Sequence, residues 1–230
     1  MSIEKLLCLD NKTPECRSFL THALRWLDDP TMYGTFDTTP KLPRFDRSKF
    51  DALKGIKFSP LFGLPSGFVD AFMHVEASKD PNNPFRLRPI MAPDANDGIP
   101  QGSLQEVVMA RRSDIRRDGS VKPEMVVQFD MESCYDQFAL GERVRPLMCL
   151  LGPDGIVYAL DRLAMGLRPA CEVAQATLWF LLDFERHESV KVSSYIDNIR
   201  FAGPRTHTVA AIATFLDRCK RVGVQLDQPW

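Results

Sequence analysis

Val192-Ser193-Ser194-Tyr195-Ile196-Asp197-Asn198-Ile199-Arg200-Phe201-Ala202-Gly203 consists of two β-prone runs that meet at Tyr-Ile-Asp-Asn and close on a Gly-Pro break. The stretch reads as a hairpin with Asp197 and Asn198 at its tip, where a carboxylate is held rigidly and can face a cleft. Such a carboxylate needs a partner. Met125-Val126-Val127-Gln128-Phe129 is an apolar strand that delivers Asp130 at its carboxyl end. If both strands share a sheet, the two carboxylates converge where a divalent cation can sit, and a two-metal nucleotidyl-transfer site becomes the working expectation. Taken singly, each aspartate is an ordinary strand-end or turn residue.

The bulk composition sets bounds around this stretch. A chain of 230 residues, 44% hydrophobic and 26% charged, has length enough for one large domain or two small ones. No apolar run approaches the roughly 20 residues that span a bilayer, and the N-terminus lacks the flanks of a secretion signal. These features lead to the expectation of no membrane partner and an intracellular location, cytoplasmic or nuclear. Cys8, Cys16, Cys134, Cys149, Cys171 and Cys219 form no CxxC pair, so neither zinc nor a disulfide framework is expected and the thiols are read as reduced and mainly buried. A net charge of −1 argues against a general polyanion binder. Locally, Arg111-Arg112-Ser113-Asp114-Ile115-Arg116-Arg117 carries four arginines in seven positions, either a solvated surface or a set of phosphate contacts.

In chain order, Thr13-Pro14-Glu15 reads as a helix start, with Phe19, Leu20, Ala23, Leu24 and Leu27 at helical spacing. Residues 29–65 carry prolines that leave one short helix near 48–53, and a further helix is expected over 66–80. In Phe85-Arg86-Leu87-Arg88, a strand puts both arginines on one face. That face suits a triphosphate, because guanidinium pairs bidentately with phosphate oxygens, and it equally suits a solvated edge. A helix is expected over 101–118, then the strand to Asp130, then a helix through about Leu151. Gly152-Pro153-Asp154-Gly155 is a turn before a strand over 156–160. The loop Leu163-Ala164-Met165-Gly166-Leu167-Arg168-Pro169-Ala170 feeds a helix to about Phe184. Residues 208–222 form an amphipathic helix with Ile212, Phe215, Leu216 and Cys219 on one side, capped by Gly223 and followed by a short strand over 224–226.

The order strand-Asp, helix, loop-helix, hairpin-Asp, helix, strand is that of a polymerase palm, and the motifs resemble those of retroelement reverse transcriptases. Phe129-Asp130 with Tyr135 resembles the first palm motif, an aspartate followed by an aromatic gate. Leu163-Ala164-Met165-Gly166-Leu167 with Gln175 resembles the second, and Tyr195-Ile196-Asp197-Asn198 resembles the Tyr-x-Asp-Asp hairpin. Arg88-Pro89-Ile90 through Asn96 is similar to the fingers motif that grips the incoming triphosphate. Cys219-Lys220-Arg221-Val222-Gly223-Val224-Gln225-Leu226 is similar to the helix-to-strand element after the catalytic hairpin. The resemblance covers about residues 85–226. Around Met165 and Tyr195 its phrasing is nearest to tyrosine-recombinase retroelements of the DIRS type and their kinetoplastid relatives. Three departures stand out: Ala164 replaces proline, Ala170-Cys171 replaces Ser-Pro, and Asn198 replaces the second hairpin aspartate.

The resemblance implies an α+β fold with right-hand fingers and palm, the palm an antiparallel sheet backed by helices. It divides the chain into an N-terminal extension and fingers over 1–80, fingers over 81–120, and palm over 121–230 with 139–162 contributing to the fingers; a thumb is absent. Asp130, Asp197 and Asn198 become the catalytic residues. Asp130, Asp197 and the Met131 carbonyl would hold two Mg2+ or Mn2+ ions. Arg86 and Arg88 would grip a dNTP. Tyr135 would exclude a 2′-hydroxyl from under the sugar, its alternative being a core aromatic. Met165 and Gly166 would pack on the nascent base pair. Gln175 would position the template or Tyr135, or lie on a helix surface. Tyr195 and Arg111, Arg112, Arg116 and Arg117 would contact nucleic acid. The implied partners are an RNA or DNA template–primer, dNTPs, and the remaining retroelement domains (thumb, RNase H, recombinase or integrase) in a longer polyprotein or a separate chain. The implied activity is RNA-directed DNA synthesis. Because Asn198 is uncharged and neutralises less of a cation's charge, the alternative is a polymerase-derived nucleic-acid-binding or scaffold protein that no longer catalyses. An RNA-templated RNA polymerase is disfavoured by Tyr135 as a bulky gate.

Overall fold

The computed structural model describes residues 1–37, 45–53, 55–78, 81–105 and 123–227. The fold is mixed α+β, with six α-helices among the described residues and every named strand paired antiparallel. No described helix is long and apolar enough to cross a membrane. The chain divides into two units that interleave along the sequence: Met1–Leu24, Gln105–Gln137 and Cys171–Trp230 form one, and Arg25–Leu104 with Phe138–Ala170 form the other.

The first unit holds the candidate carboxylates. Strands β4 (Met125–Asp130), β7 (Lys191–Tyr195) and β8 (Asn198–Gly203) form a sheet in the order β4-β8-β7. Side chains alternate across a strand, so register assigns each residue a face. Val127 and Phe129 stand opposite Phe201 and Ile199, which stand opposite Val192 and Ser194. That apolar face meets the Arg205–Val222 helix: Phe129, Phe201 and Phe215 pack edge-on or tilted with ring centroids 5.5–6.2 Å apart. The other face carries Gln128, Asp130, Asn198, Arg200, Ser193 and Tyr195. Polar residues thus share one side of the sheet because the period-2 pattern sends the phenylalanines to the other.

The Ala170–Leu182 helix is apolar nearly all round, as a core helix must be. Its last carbonyls have no partners within the helix. Arg218 supplies them: its buried guanidinium donates to Phe180 O and Leu181 O at 2.9 Å and to Asp10 O at 2.7 Å. In the Arg205–Val222 helix the buried stripe is Thr208, Ala211, Phe215, Arg218, Cys219 and Val222. Leu216, expected inside, is 40% exposed, because the stripe follows Phe215 and Arg218 onto the sheet and the helix before it. Gly223 ends the helix in the left-handed region at φ 77°.

The second unit contains a three-stranded sheet of β1 (Phe58–Pro60), β6 (Val157–Leu160) and β5 (Cys149–Leu151), and a separate hairpin of β2 (Val69–Ala77) and β3 (Phe85–Pro93). Phe50, Phe58 and Tyr158 pack together on the first sheet, with centroids 5.1–5.5 Å apart. The helix expected over 66–80 is strand β2. Val69, Ala71, Met73, Val75 and Ala77 alternate onto one apolar face, and nine-residue pairing with β3 overrides helical propensity. The helix expected through Leu151 is also absent. Pro146 confines that segment to a 3-10 turn, Arg145–Leu147, and Cys149–Leu151 pairs with β6. The closing strand over 224–226 is a single bridge, Met131 to Leu226. The short helix near 48–53 forms as Arg47–Ala52. Of the helix expected over 101–118, residues 101–105 are turn or coil, and from 106 onward it lies outside the described residues. The six cysteines are free; Cys134, Cys149 and Cys219 are buried, Cys16 and Cys171 are partly covered and Cys8 is exposed.

Candidate active site

Asp130 ends β4 directly opposite Asn198, the first residue of β8. The hairpin tip is therefore Ile196-Asp197, with Tyr195 and Asn198 as the closing pair. The Met131 amide donates to the Asp197 carbonyl at 2.9 Å, so the backbones that carry the two aspartates are joined by a hydrogen bond. Burial raises the pKa of the nearby Cys134 thiol, and the negative fields of Asp197 and Asp130 push it up further. Both carboxylates therefore act on one neighbouring sulfur.

Ile196 (φ 56°) and Ser133 (φ 44°) are the non-glycine residues with positive φ among the described residues. Ile196 directly precedes Asp197, and Ser133 lies three residues after Asp130. For a β-branched isoleucine this conformation is an outlier that persists only where its surroundings enforce it. Gln175 enforces it at Ile196. Its Oε1 accepts from the Ile196 amide at 2.7 Å and its Nε2 donates to Ser194 Oγ at 2.8 Å. Gln175 is fully buried beneath the hairpin. It acts as a strut for the tip and makes its bonds there, with neither a helix surface nor Tyr135.

The segment after Asp130 is fixed from the other side. Asp227 N donates to Asp130 O at 2.8 Å and Glu132 N to Gln225 O at 3.1 Å. Gln137, buried, donates to Glu132 O at 2.7 Å and Gln225 O at 2.8 Å, and accepts from Gln225 N at 2.9 Å. Nothing in the sequence around Gln137 signals this role, because a single polar residue in a 3-10 turn carries no periodicity. Tyr135, in the same turn (Cys134–Gln137), is half-buried, with its hydroxyl 3.5 Å from Cys171 Sγ. Burial first, then the Cys171 contact, pushes the phenol pKa above its ordinary range, so the ring stays neutral. Cys171, one of the departures from the family pattern, thus meets Tyr135 directly.

Asn198 turns its Nδ2 to Asp197 Oδ1 at 2.8 Å. Tyr195 is 49% exposed, on the sheet face it shares with Asp130 and Asn198. Among the described residues no group of three or more His, Cys, Asp or Glu side chains could hold an ion by itself. The available donors are two carboxylates and the Met131 carbonyl. An all-oxygen set of this size suits Mg2+, which keeps several waters and takes its remaining ligands from substrate phosphates.

The other expected residues lie in the second unit, apart from Arg111, Arg112, Arg116 and Arg117, which are outside the described residues. Arg86 and Arg88 both pair with Glu76. Met165 and Gly166 are strapped to the end of β3 and the turn after it. Met91 N donates to Met165 O at 2.8 Å, Asn96 Nδ2 donates to Gly166 O at 2.9 Å, and Arg168 N donates to Asn96 Oδ1 at 2.9 Å. Gly166 has φ 105°, and a Cβ there would collide with the Met91 carbonyl oxygen. Gly166→Ala is expected to destabilise the protein by about 1–3 kcal/mol, read as a lower midpoint in urea unfolding. An unchanged midpoint would mean that the strap yields freely.

No protein-family model matches the chain, and no curated protein matches it.

Proposed function

We propose that the chain is the fingers–palm core of a retroelement RNA-directed DNA polymerase, with the first unit as its palm. The observation that carries this reading is the β4-β8-β7 sheet, which joins the Asp130 strand end to the Asp197 hairpin tip through the Met131–Asp197 hydrogen bond. The Arg205–Val222 helix on the opposite face and the strained Ile196 beside Asp197 support it. Asp130, Asp197 and the Met131 carbonyl would hold two Mg2+ or Mn2+ ions, whose chemistry is to stabilise the attacking and leaving oxygens of phosphoryl transfer. The chain's own residues orient the reactants. Gln175 keeps the hairpin tip in position, Gln137 fixes the turn after Asp130, and neutral Tyr135 would serve as the sugar gate. The roles of Arg86, Arg88, Met165 and Gly166 toward a dNTP and its base pair rest on the resemblance.

The test is dNTP addition to a primed RNA template with Mg2+ or Mn2+. Folded protein that adds nothing with either ion sinks the proposal.

A second reading, a nucleic-acid-binding protein that no longer catalyses, is favoured by one contact. Asn198 donates to the Asp197 oxygen that a cation would otherwise share. Asn198→Asp removes that donor and adds a carboxylate. If the polymerase is merely weakened, this variant gains about tenfold or more in Mg2+-dependent incorporation, equivalent to roughly 1.4 kcal/mol of barrier. An inert Asn198→Asp protein, with an inert parent, favours the second reading.

A further inference from the structure

We propose that the stacked imidazoles of His187 and His207, with Arg186 and Lys191 beside them, form a nucleotide-binding site in which a base stacks on His187 and its phosphate meets the two cations. The site goes beyond the polymerase reading and does not depend on it. It is a groove of about 510 Å3 within the first unit, between Lys12–Thr13, the turn over 183–190 and the start of β7. That volume falls inside the roughly 300–1,000 Å3 of small-molecule sites. The groove is at the Lys191 end of β7 and the hairpin tip follows the Tyr195 end, so the strand separates them by about 13 Å, at roughly 3.3 Å per residue.

The two rings lie face to face, with centroids 3.7 Å apart and planes inclined by 18°. Ser189 holds both. Its Oγ is 2.7 Å from His187 Nδ1 and 3.2 Å from His207 Nδ1, and its amide donates to His187 Nδ1 at 3.3 Å. His187 Nδ1 is therefore an acceptor, and the neutral ring carries its proton on Nε2. Val190 N ties the turn by donating to His187 O at 3.0 Å. His207, in the first turn of the Arg205–Val222 helix, lies outside the groove lining, whereas His187 is exposed and lines it. The ring face that His187 turns away from His207 is thus the one open to a ligand. A planar base laid there continues the stack, whatever its sequence identity, because every base has a π-face.

The cations beside the stack suit a phosphate. Arg186 is aimed by two contacts: Nη1 donates to Leu182 O at 2.9 Å, and the guanidinium is 5.9 Å from the Phe184 ring centroid. Among the described residues neither Arg186 nor Lys191 pairs with a carboxylate. The other charges are largely engaged. Asp183 accepts from Thr13 N at 2.7 Å and Thr13 Oγ1 at 2.8 Å, and Lys12 pairs with Glu185 at 3.1 Å. With neutral histidines, Lys12, Arg186 and Lys191 outweigh Asp183 and Glu188, so the lining carries one net positive charge. A guanidinium fork and an ammonium point charge are both common phosphate donors. A nucleotide, unlike a base or a phosphate alone, uses both halves of the site.

The chain has four histidines, so their imidazole C–H signals can be assigned by single substitutions to glutamine and followed by NMR on the whole chain in EDTA. Adenosine 5′-monophosphate is expected to move the His187 signals upfield, the ring-current mark of stacking, and to leave those of His22 and His74 in place. Ribose 5-phosphate, which has the phosphate without the base, is expected to bind at least about tenfold more weakly. In isothermal titration His187→Ala and Arg186→Ala/Lys191→Ala are each expected to weaken binding of the nucleotide about tenfold. Thermal unfolding shows whether each variant is folded, and the shifts in the parent protein decide the matter if one is not. No movement of the His187 signals, or equal binding of the nucleotide and ribose 5-phosphate, overturns the proposal. Octaadenylate separates the two sources of this ligand. Tighter binding than the mononucleotide, with the same His187 shift, assigns a single strand, and weaker binding assigns the free nucleotide; either upholds the site. With no metal, primer or dNTP present, the outcome stands apart from that of primer extension.

Discussion

On the proposed function, Asp130→Asn and Asp197→Asn are each expected to lower Mg2+-dependent dNTP incorporation by at least ~10³-fold, the scale seen when one group is removed that stabilises transition-state charge. Asparagine keeps the shape and acceptor capacity of the side chain and removes only its charge. The Met131–Asp197 bond is between backbone atoms, so it survives both substitutions. Unfolding midpoints should therefore stay close to the parent's, and the loss should appear in the rate. Primer extension over a Mg2+ titration measures it. A variant that retains more than about a tenth of the parent's rate shows that its carboxylate does not serve the reaction.

Gln175→Leu has the largest expected effect on stability among the residues that position the site. Leucine fills a similar volume, so the loss comes from polar groups left without partners. The Ile196 amide and the Ser194 hydroxyl both depend on Gln175, and each unsatisfied buried group costs about 1–3 kcal/mol. The expected total is roughly 2–6 kcal/mol, read from urea unfolding. Ser194→Ala removes one of the two bonds and should cost about 1 kcal/mol. A second effect follows from strain. Without Gln175, Ile196 is expected to relax out of positive φ and carry Asp197 with it, so that, on the proposed function, incorporation is expected to fall even where the protein remains folded. Gln175→Leu with parental stability and rate would show that the tip holds its conformation unaided.

The hairpin and β4 were legible in the sequence because each is a β-prone run with a clear stop. Asp130 at a strand end and Gly203-Pro204 after β8 are strong punctuation. The helix ending at Gly223 was legible for the same reason. Strand β2 was not. Phe68-Val69-Asp70-Ala71-Phe72-Met73 puts apolar residues on both faces, so its period is blurred until β3 is known to lie beside it. Glu76 was lost with it, since a residue read as helical has no cross-strand partner to examine. Gln175 was visible but its direction was not. A polar residue in an apolar helix shows that it must bond to something, and only the fold shows that the partner is the hairpin. The opposite-face phenylalanines, by contrast, could be read from alternation alone. Leu216 was misjudged because helical spacing fixes the width of a stripe but not its rotation about the axis.

The N-terminal residues of the first unit are held locally by Arg17, which bonds to Leu7 O, Leu9 O and Asn11, and at long range by residues that come much later. Ser2 N bonds to Val222 O, the Thr13 hydroxyl and amide bond to Asp183, and Asp10 O is held by Arg218, 208 positions away. During vectorial synthesis at about 5–20 residues per second, Asp10 waits roughly 10–40 s for that guanidinium to be made. Leu6, Leu9 and Leu20 are all buried in the finished unit. The Arg205–Val222 helix, made last, acts as the late clasp that closes these contacts.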